Sequence, residues 1–173
     1  MQLLDNFYFQ INNVLINGVF GISLINLSII FFSVIFALLI RGIFAKLIVS
    51  KVKSIVRKTS NKFDDNLFDA LTPPFKLLPI VIVFLIVTLY FEVDSTLGLY
   101  FHKINNTLAT IFVFWLIHQV LIPFSNFFSK LEKILTKALV LWIVRSCKYL
   151  IIFLGIVAVL EVWGIKIGPV IAG

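Results

Sequence analysis

The sequence contains a stretch of 35 residues without a charged side chain, from Asn6 to Ile40. Within it, the 22 residues Val19–Ile40 are predominantly apolar and would form a helix about 33 Å long. The hydrocarbon core of a bilayer is about 30 Å thick. This feature predicts a membrane-spanning helix and argues against a water-soluble fold.

The composition of the whole chain agrees with lipid as the solvent. Hydrophobic residues make up 61% of the 173 positions, and charged residues make up 13%. A soluble domain carries about twice that share of charge. The net charge of +7 does not indicate nucleic acid, because the cations lie at the ends of apolar runs, where they match anionic head groups. We expect anionic membrane lipids as partners and no nucleic acid.

The apolar runs predict an all-α fold, an integral membrane bundle of four transmembrane helices in two hairpins, with the start of a fifth helix. A periplasmic tail at 1–18 precedes a transmembrane domain at 19–173. The predicted spans are about 19–41, 73–91, 104–124 and 138–163, and basic cytoplasmic segments lie at 41–72 and 125–137.

Polar and proline residues predict the breaks between the first two spans. Asp64 and Asp65 have the side chains of N-caps for a short helix. Thr72 and Pro73 are typical of the cap and first position of the next helix. Pro79 lies six residues further on and predicts a kink inside the second span.

The distribution of cations predicts the orientation. Segments 41–76 and 130–148 hold thirteen of the fifteen Lys and Arg residues, and only Lys103 and Lys166 lie elsewhere. Cytoplasmic loops carry the excess of positive charge. We therefore expect a multi-pass protein of the bacterial inner membrane, with both its N-terminus and Gly173 on the periplasmic side.

Five cations near the start of the fourth span form a stripe, here called the basic ridge. At about 100° per residue, all five fall within roughly one third of the helix circumference. Two interpretations are open. The cations could serve the orientation and solubility of an interfacial helix, or they could hold lipid phosphates or edge a cytoplasmic vestibule that attracts anions. The members of the ridge are Lys130, Lys133, Lys137, Arg145 and Lys148.

The sequence offers little for catalysis. It lacks H-E-x-x-H, G-x-S-x-G, C-x-x-C and a Walker A loop. The lone Cys147 excludes an internal disulfide. His118 is an ionisable residue within the third span, which indicates either a proton site or a neutral packing histidine. We expect no enzyme, no cofactor and no metal site.

The last ten residues predict a turn followed by a new helix. Gly164 and Gly168 flank the turn, and Pro169 suits the first turn of a helix. Gly168, Ala172 and Gly173 are small residues of the kind that let helices approach closely in membranes.

Here the chain resembles the small-conductance mechanosensitive channel (MscS-like) family. The resemblance lies in WGIKIGPVIAG at Trp163–Gly173 and in KFDDNLFDALTPPFKLLP at Lys62–Pro79. It extends over roughly Lys51–Gly173. In that family a sensor helix ends in a Trp-Gly or Leu-Gly turn, and a Gly- and Ala-rich pore helix follows.

The resemblance implies the lipid-facing sensor region of a channel gated by membrane tension. Gly164 and Gly168 would be the hinge, and Pro169, Ala172 and Gly173 would begin the pore helix. The rest of the pore helix and the cytoplasmic domain are absent, as in a truncated gene or a fragment. Full-length family members form homo-oligomeric rings, whereas this chain lacks the parts that hold such a ring together. The alternatives are a free-standing accessory membrane protein and half of a carrier.

Overall fold

The structure is a computed structural model that describes residues 7–9, 23–56, 62–90, 96–128 and 136–168. The long helices within these ranges are, in chain order, α1 (Leu24–Val56), α2 (Lys62–Phe75), α3 (Leu78–Tyr90), α4 (Thr96–Phe128) and α5 (Lys137–Val162).

Helix α1 begins at a side-chain cap. The Ser23 hydroxyl accepts a hydrogen bond from the Asn26 backbone N–H at 3.3 Å, which satisfies one of the free donors at a helix start. The helix runs without interruption past Arg41 and through the basic residues that follow, well beyond the predicted end of the first span at residue 41. One face carries the buried residues Ala37, Ala45 and Val49, and the two alanines allow the neighbouring helices to approach closely.

The second span is broken into α2 and α3 by a turn at Lys76–Leu77, here called the elbow. The predicted helix start at Thr72–Pro73 is wrong, because α2 continues through Pro73 and Pro74 to Phe75. The Thr72 hydroxyl donates to the Phe68 carbonyl at 3.1 Å instead of capping a new helix. Pro73 and Pro74 therefore lie in the last turn of α2.

Pro79 explains why the chain breaks at the elbow. Its ring would clash with the Phe75 carbonyl in a continuous helix, so α3 restarts at Leu78 and holds Pro79 in its first turn. Lys76 and Leu77 donate instead to the Pro73 and Pro74 carbonyls, at 3.2 and 2.9 Å. The expected kink is thus a complete break three residues earlier in the chain.

The remaining helix ends also differ from the predictions in detail. Asp64 and Asp65 lie within the first turn of α2 and do not precede it, so they are not its caps. Helix α4 extends beyond the predicted span 104–124 at both ends. Residues 19–22, 91–95 and 129–135 lie outside the described residues, and with them the predicted start of the first span and the predicted end of the second.

The helices pack in a row that follows chain order. Helix α1 packs mainly against α2 and α3, these two pack against α4, and α4 packs against α5. Rings of Phe75 and Phe112 meet edge to face between α2 and α4, with centroids 6.0 Å apart. Helices α1 and α5 therefore form the two edges of the row.

Few apolar side chains are buried within the row. The buried ones among the described residues are Ala37, Ala45, Val49, Phe68, Val87 and Val140. By contrast, Phe32, Leu39 and Leu89 are 66%, 75% and 80% exposed. Exposing so much apolar surface to water is unfavourable in free energy, whereas exposing it to lipid is not.

Four stretches of the described residues are long and apolar enough to cross a bilayer. They are Leu24–Ser54, Asn66–Leu89, Gly98–Leu121 and Ala138–Val162. The second of them includes the elbow. This confirms the predicted all-α fold with four membrane helices and makes the chain a multi-pass membrane protein.

Candidate functional site

Helices α4 and α5 form an antiparallel hairpin, and His118, Cys147 and the described cations of the basic ridge lie on it. The two helices approach closely at Gly155, where an added Cβ would lie 3.2 Å from both Cβ and Cγ of Phe114. A side chain at residue 155 would therefore require the Phe114 ring to shift. The absence of a side chain at Gly155 thus allows the two helices to lie close together at this point.

A small group of side chains joins the end of α5 to the start of α4, and we call it the clasp (Lys103, Thr107 and Trp163). The indole Nε1 of Trp163 donates to the Thr107 hydroxyl at 3.1 Å. That hydroxyl donates in turn to the Lys103 carbonyl at 2.7 Å. The Lys103 Nζ lies 5.7 Å from the Trp163 ring centroid, which is within cation–π range.

The turn after α5 has the geometry of a Schellman motif. The Ile165 N–H donates to the Leu160 carbonyl at 3.0 Å, and the Gly164 N–H donates to the Glu161 carbonyl at 2.9 Å. Gly164 has φ +87°, a conformation that disfavours any residue with a Cβ. This arrangement fixes the direction in which the chain leaves α5.

We expect Gly164→Ala to destabilise the turn by about 1–2 kcal/mol, since a left-handed alanine is strained by that amount. Nothing lies within 4 Å of the added Cβ, so the backbone alone accounts for the effect. Gly168→Ala is the matched control, because its Cβ is equally free and its φ is not positive. Unfolding in mixed detergent micelles measures both variants, and equal stabilities would contradict the assignment.

A groove of about 560 Å³ lies along the same part of the hairpin, since Phe114 and Gly155 are among its lining residues. Its lining is apolar except for His118 on α4. Among the described residues, no carboxylate lines the groove beside His118.

The structure describes the basic ridge only in part. Lys130 and Lys133 lie outside the described residues, and Lys137 is the first residue of α5. Arg145 is exposed, whereas Lys148 is half-buried. These two cations of the ridge thus differ in their exposure.

The predicted hinge and pore-helix residues lie at the end of the described chain. Gly164 is in the Schellman turn and Gly168 is exposed. Pro169, Ala172 and Gly173, the predicted start of the pore helix, lie outside the described residues.

Sequence reasoning missed the clasp and the Gly155 contact. Thr107 belongs to none of the motifs described above, and Trp163 enters only as the first residue of the stretch that resembles MscS-like channels. Only the antiparallel register, in which the end of α5 lies beside the first part of α4, brings Thr107 and Trp163 together. Asn105 was missed as well: its Oδ1 is buried and has no hydrogen-bond partner among the described residues.

A second, smaller cavity lies between α1 and α3. Its volume is about 240 Å³, and Asn26 and Ser33 are the polar residues in an otherwise apolar lining. It is separate from the hairpin groove, since the two share no residue.

The chemistry available at the hairpin consists of hydrogen bonds, cations and close packing. Within the described ranges, no three His, Cys, Asp or Glu side chains come together as metal ligands. Cys147 is a half-buried free thiol. Comparison with protein-family models, with curated proteins and with solved structures finds no match for this chain.

Proposed function

We propose that this chain is the lipid-facing sensor region of an ion channel gated by membrane tension. The observation that carries the proposal is the row of helices, in which each membrane span packs on the spans next to it in the sequence. Such a row presents both its faces and its two edges to lipid. It therefore meets the bilayer over far more surface than a closed bundle of the same helices.

Tension acts on any such assembly through its area. A stretched membrane favours the conformation that occupies more area in the bilayer plane, and the shift depends only on the difference between two states. Helices in a row can tilt with little loss of internal contact, because few side chains are buried between them. Tilting of α4 and α5 supplies the area difference in this proposal.

The end of α5 supports the link to a pore. The Trp163–Gly164 turn lies where the resemblance to MscS-like channels places the passage from sensor helix to pore helix. Its Schellman geometry holds the outgoing chain at a defined angle. In the proposed mechanism, Gly164 and Gly168 transmit the motion of α5 to the helix that begins at Pro169.

The basic ridge is consistent with a particular orientation in the membrane and with anionic lipids as partners. Arg145 and Lys148 lie in the half of α5 further from the clasp, and cations close to a membrane surface attract anionic head groups. The proposed location is the bacterial inner membrane, with the N-terminus outside and the ridge on the cytoplasmic side. The proposed partners are anionic membrane lipids, and a homo-oligomeric ring is expected only of full-length family members.

The proposal is tested by a double variant in which both Arg145 and Lys148 are replaced by alanine. Each cation near an anionic surface contributes about 1 kcal/mol, so the double variant is expected to shift the closed–open equilibrium at fixed tension by up to about 30-fold. The measurement is patch-clamp recording of the full-length gene product under graded suction. We expect the variant to require more tension.

Lys166→Ala is the matched control, since Lys166 is exposed and lies beyond the other end of α5. Its tension threshold should equal that of the wild type. An unchanged threshold in the double variant would remove the ridge from the mechanism. If the wild-type product carried no tension-gated current at all, the channel proposal itself would be contradicted.

One observation favours a carrier as the second candidate. Carriers bind their substrates near mid-membrane at broken helices, and the second span of this chain is broken at the elbow. Solute counterflow into proteoliposomes without any dependence on tension would support that function. An accessory membrane protein would show neither current nor counterflow.

A further inference from the structure

We infer that Arg41 and Lys76 bind the phosphate group of an anionic phospholipid at the elbow, inside the apolar layer and not at its surface. The inference rests on the level of the elbow, on the exposure of the two cations and on their lack of acidic partners among the described residues. It holds or fails independently of the channel proposal, because it concerns the first two membrane spans.

The elbow lies beside the middle of a neighbouring membrane span. The Phe75 ring, next to Lys76 in the chain, meets the Phe112 ring of α4 edge to face. The apolar stretch of α4 runs from Gly98 to Leu121, so its two ends are about 21 and 13 Å from Phe112 along the helix. Lys76 therefore lies well inside the apolar layer that α4 defines.

Arg41 lies at nearly the same level on α1. The cavity between α1 and α3 is lined by residues 26–33 and 83–87, which aligns these ranges in two consecutive, antiparallel spans. From the centre of the cavity, Arg41 is about 17 Å further along α1, and Lys76 is about 14 Å back toward the elbow. The two cations thus differ in level by less than one helical turn, on packed elements whose axes are about 8–10 Å apart.

Arg41 is exposed although it belongs to the packed face of α1. Ala37 and Ala45 lie four residues before and after it, on the same face of the helix, and they are 1% and 0% exposed. Arg41 between them remains exposed. The second span is interrupted at this level, since α2 ends and α3 restarts at the elbow. The interruption therefore leaves an opening into which a long cationic side chain can extend.

The two cations lack a compensating negative charge. Among the described residues, neither Arg41 nor Lys76 has an ion pair or a side-chain hydrogen bond. Asp69 is the described acid nearest to Lys76 in the sequence, and it is seven residues away and exposed. Unpaired cations inside a membrane are costly. A phosphate between them supplies the missing charge, because arginine binds phosphate oxygens in pairs and lysine binds them as a point charge.

The surroundings of the cations fit a phospholipid better than a free phosphate ion. Leu38, one turn before Arg41 and on the same side of α1, is 41% exposed and offers an apolar surface. The apolar cavity between α1 and α3 begins at Ser33, about 12 Å from Arg41 along the helix. Acyl chains of one leaflet extend over about 15 Å, half of the hydrocarbon core. A lipid whose phosphate lies at the elbow can therefore place a chain in this cavity.

Lipid binding to the full chain in detergent tests the site. Native mass spectrometry measures the affinity for dioleoylphosphatidylglycerol. In the double variant Arg41→Gln with Lys76→Gln, we expect the tightest binding step to weaken by about 30-fold, since each cation contributes about fivefold. Lys46→Gln with Lys51→Gln is the matched control, because it removes the same charge from two exposed positions of α1. We expect the control to keep the wild-type affinity.

Equal weakening in both double variants, or none in the first, would overturn the inference. An excess of inorganic phosphate is expected to leave the lipid bound. Displacement of the lipid by inorganic phosphate would assign the site to the free ion and overturn the lipid as its occupant.

A second experiment locates the phosphate without removing either cation. In a Cys147→Ser background, a nitroxide at Leu38→Cys lies one turn from Arg41. A nitroxide at Ile156→Cys is the matched control, since Ile156 is 55% exposed and lies at the level of the Phe114–Gly155 contact, close to that of Phe112. In phosphatidylglycerol nanodiscs, we expect the label at residue 38 to relax the lipid phosphorus nuclei several times faster. Equal relaxation by the two labels would contradict a phosphate at the elbow.

Discussion

Phe32→Lys is expected to reduce the membrane insertion of α1 by about 3 kcal/mol, or roughly a hundredfold. Phe32 is 66% exposed on a helix that is long and apolar enough to span a bilayer. If its side chain faces hydrocarbon, the substitution replaces a favourable transfer by the insertion of an ammonium. If it faced water, the same substitution would be nearly neutral. The apparent insertion free energy of residues 24–54 in a translocon assay measures the difference.

Leu47→Lys in the same helix is the matched control. Leu47 is 60% exposed and follows Lys46 in the basic part of α1, where a lysine can extend to the head groups. We expect a change below about 1 kcal/mol. Equal and small effects at residues 32 and 47 would mean that the exposed apolar face of α1 is not covered by lipid.

Gly155→Leu is expected to destabilise the hairpin by about 2 kcal/mol, the usual effect of forcing extra atoms into a packed contact. The new Cβ would lie 3.2 Å from two carbon atoms of Phe114, and the rest of the leucine side chain has to displace the ring or the helix. The free energy of unfolding in mixed detergent micelles reports the loss. A wider spacing of the helices would also lower the fluorescence transfer between dyes on α4 and α5.

Gly42→Leu separates the contact from the general effect of replacing a helical glycine. Both residues are in helices, so both variants gain similar helix propensity. Nothing lies within 4 Å of a Cβ at residue 42. The difference between the two variants therefore measures the contact, and a difference near zero would show that α4 and α5 do not approach closely at Gly155.

The number and type of the helices could be predicted from the sequence because the lengths of apolar runs are matched to the bilayer. Helix ends were harder, since a helix continues past the membrane where its side chains turn polar. Helix α4 begins at Thr96, eight residues before the predicted span. Hydropathy indicates where the chain enters and leaves the lipid, whereas backbone hydrogen bonding determines where a helix begins and ends.

The elbow shows how a local signal can be misread. A Thr-Pro pair is typical of a helix start, yet Pro73 and Pro74 lie in the last turn of α2. Pro74 is fully buried, and the neighbouring Phe75 ring packs on Phe112. Packing against α4 therefore overrides the cap preference of Thr72, and such packing is not visible in the local sequence.

The clasp could not be predicted from the sequence either, but the reason differs from that for the elbow. Thr107 and Trp163 are 56 residues apart, and their contact depends on the register between α4 and α5. That register is determined by the connection between the helices and by the Gly155 contact, neither of which affects hydropathy. The basic ridge was visible because it is periodic along a single segment of sequence.

The elbow has a consequence for the shape of the surrounding bilayer. Prolines 73, 74 and 79 have no N–H, so the carbonyls of Asp69, Ala70 and Phe75 lose their helical donors. Such acceptors are costly in hydrocarbon, and the exposed Lys76 ammonium beside them also needs water. We therefore expect water or lipid head groups to reach these groups, which leaves α3 as the apolar part of the second span, and its 13 residues are only about 20 Å long. We expect the membrane beside α3 to be thinner than its ordinary thickness by roughly 10 Å, so that the protein responds to lipid chain length.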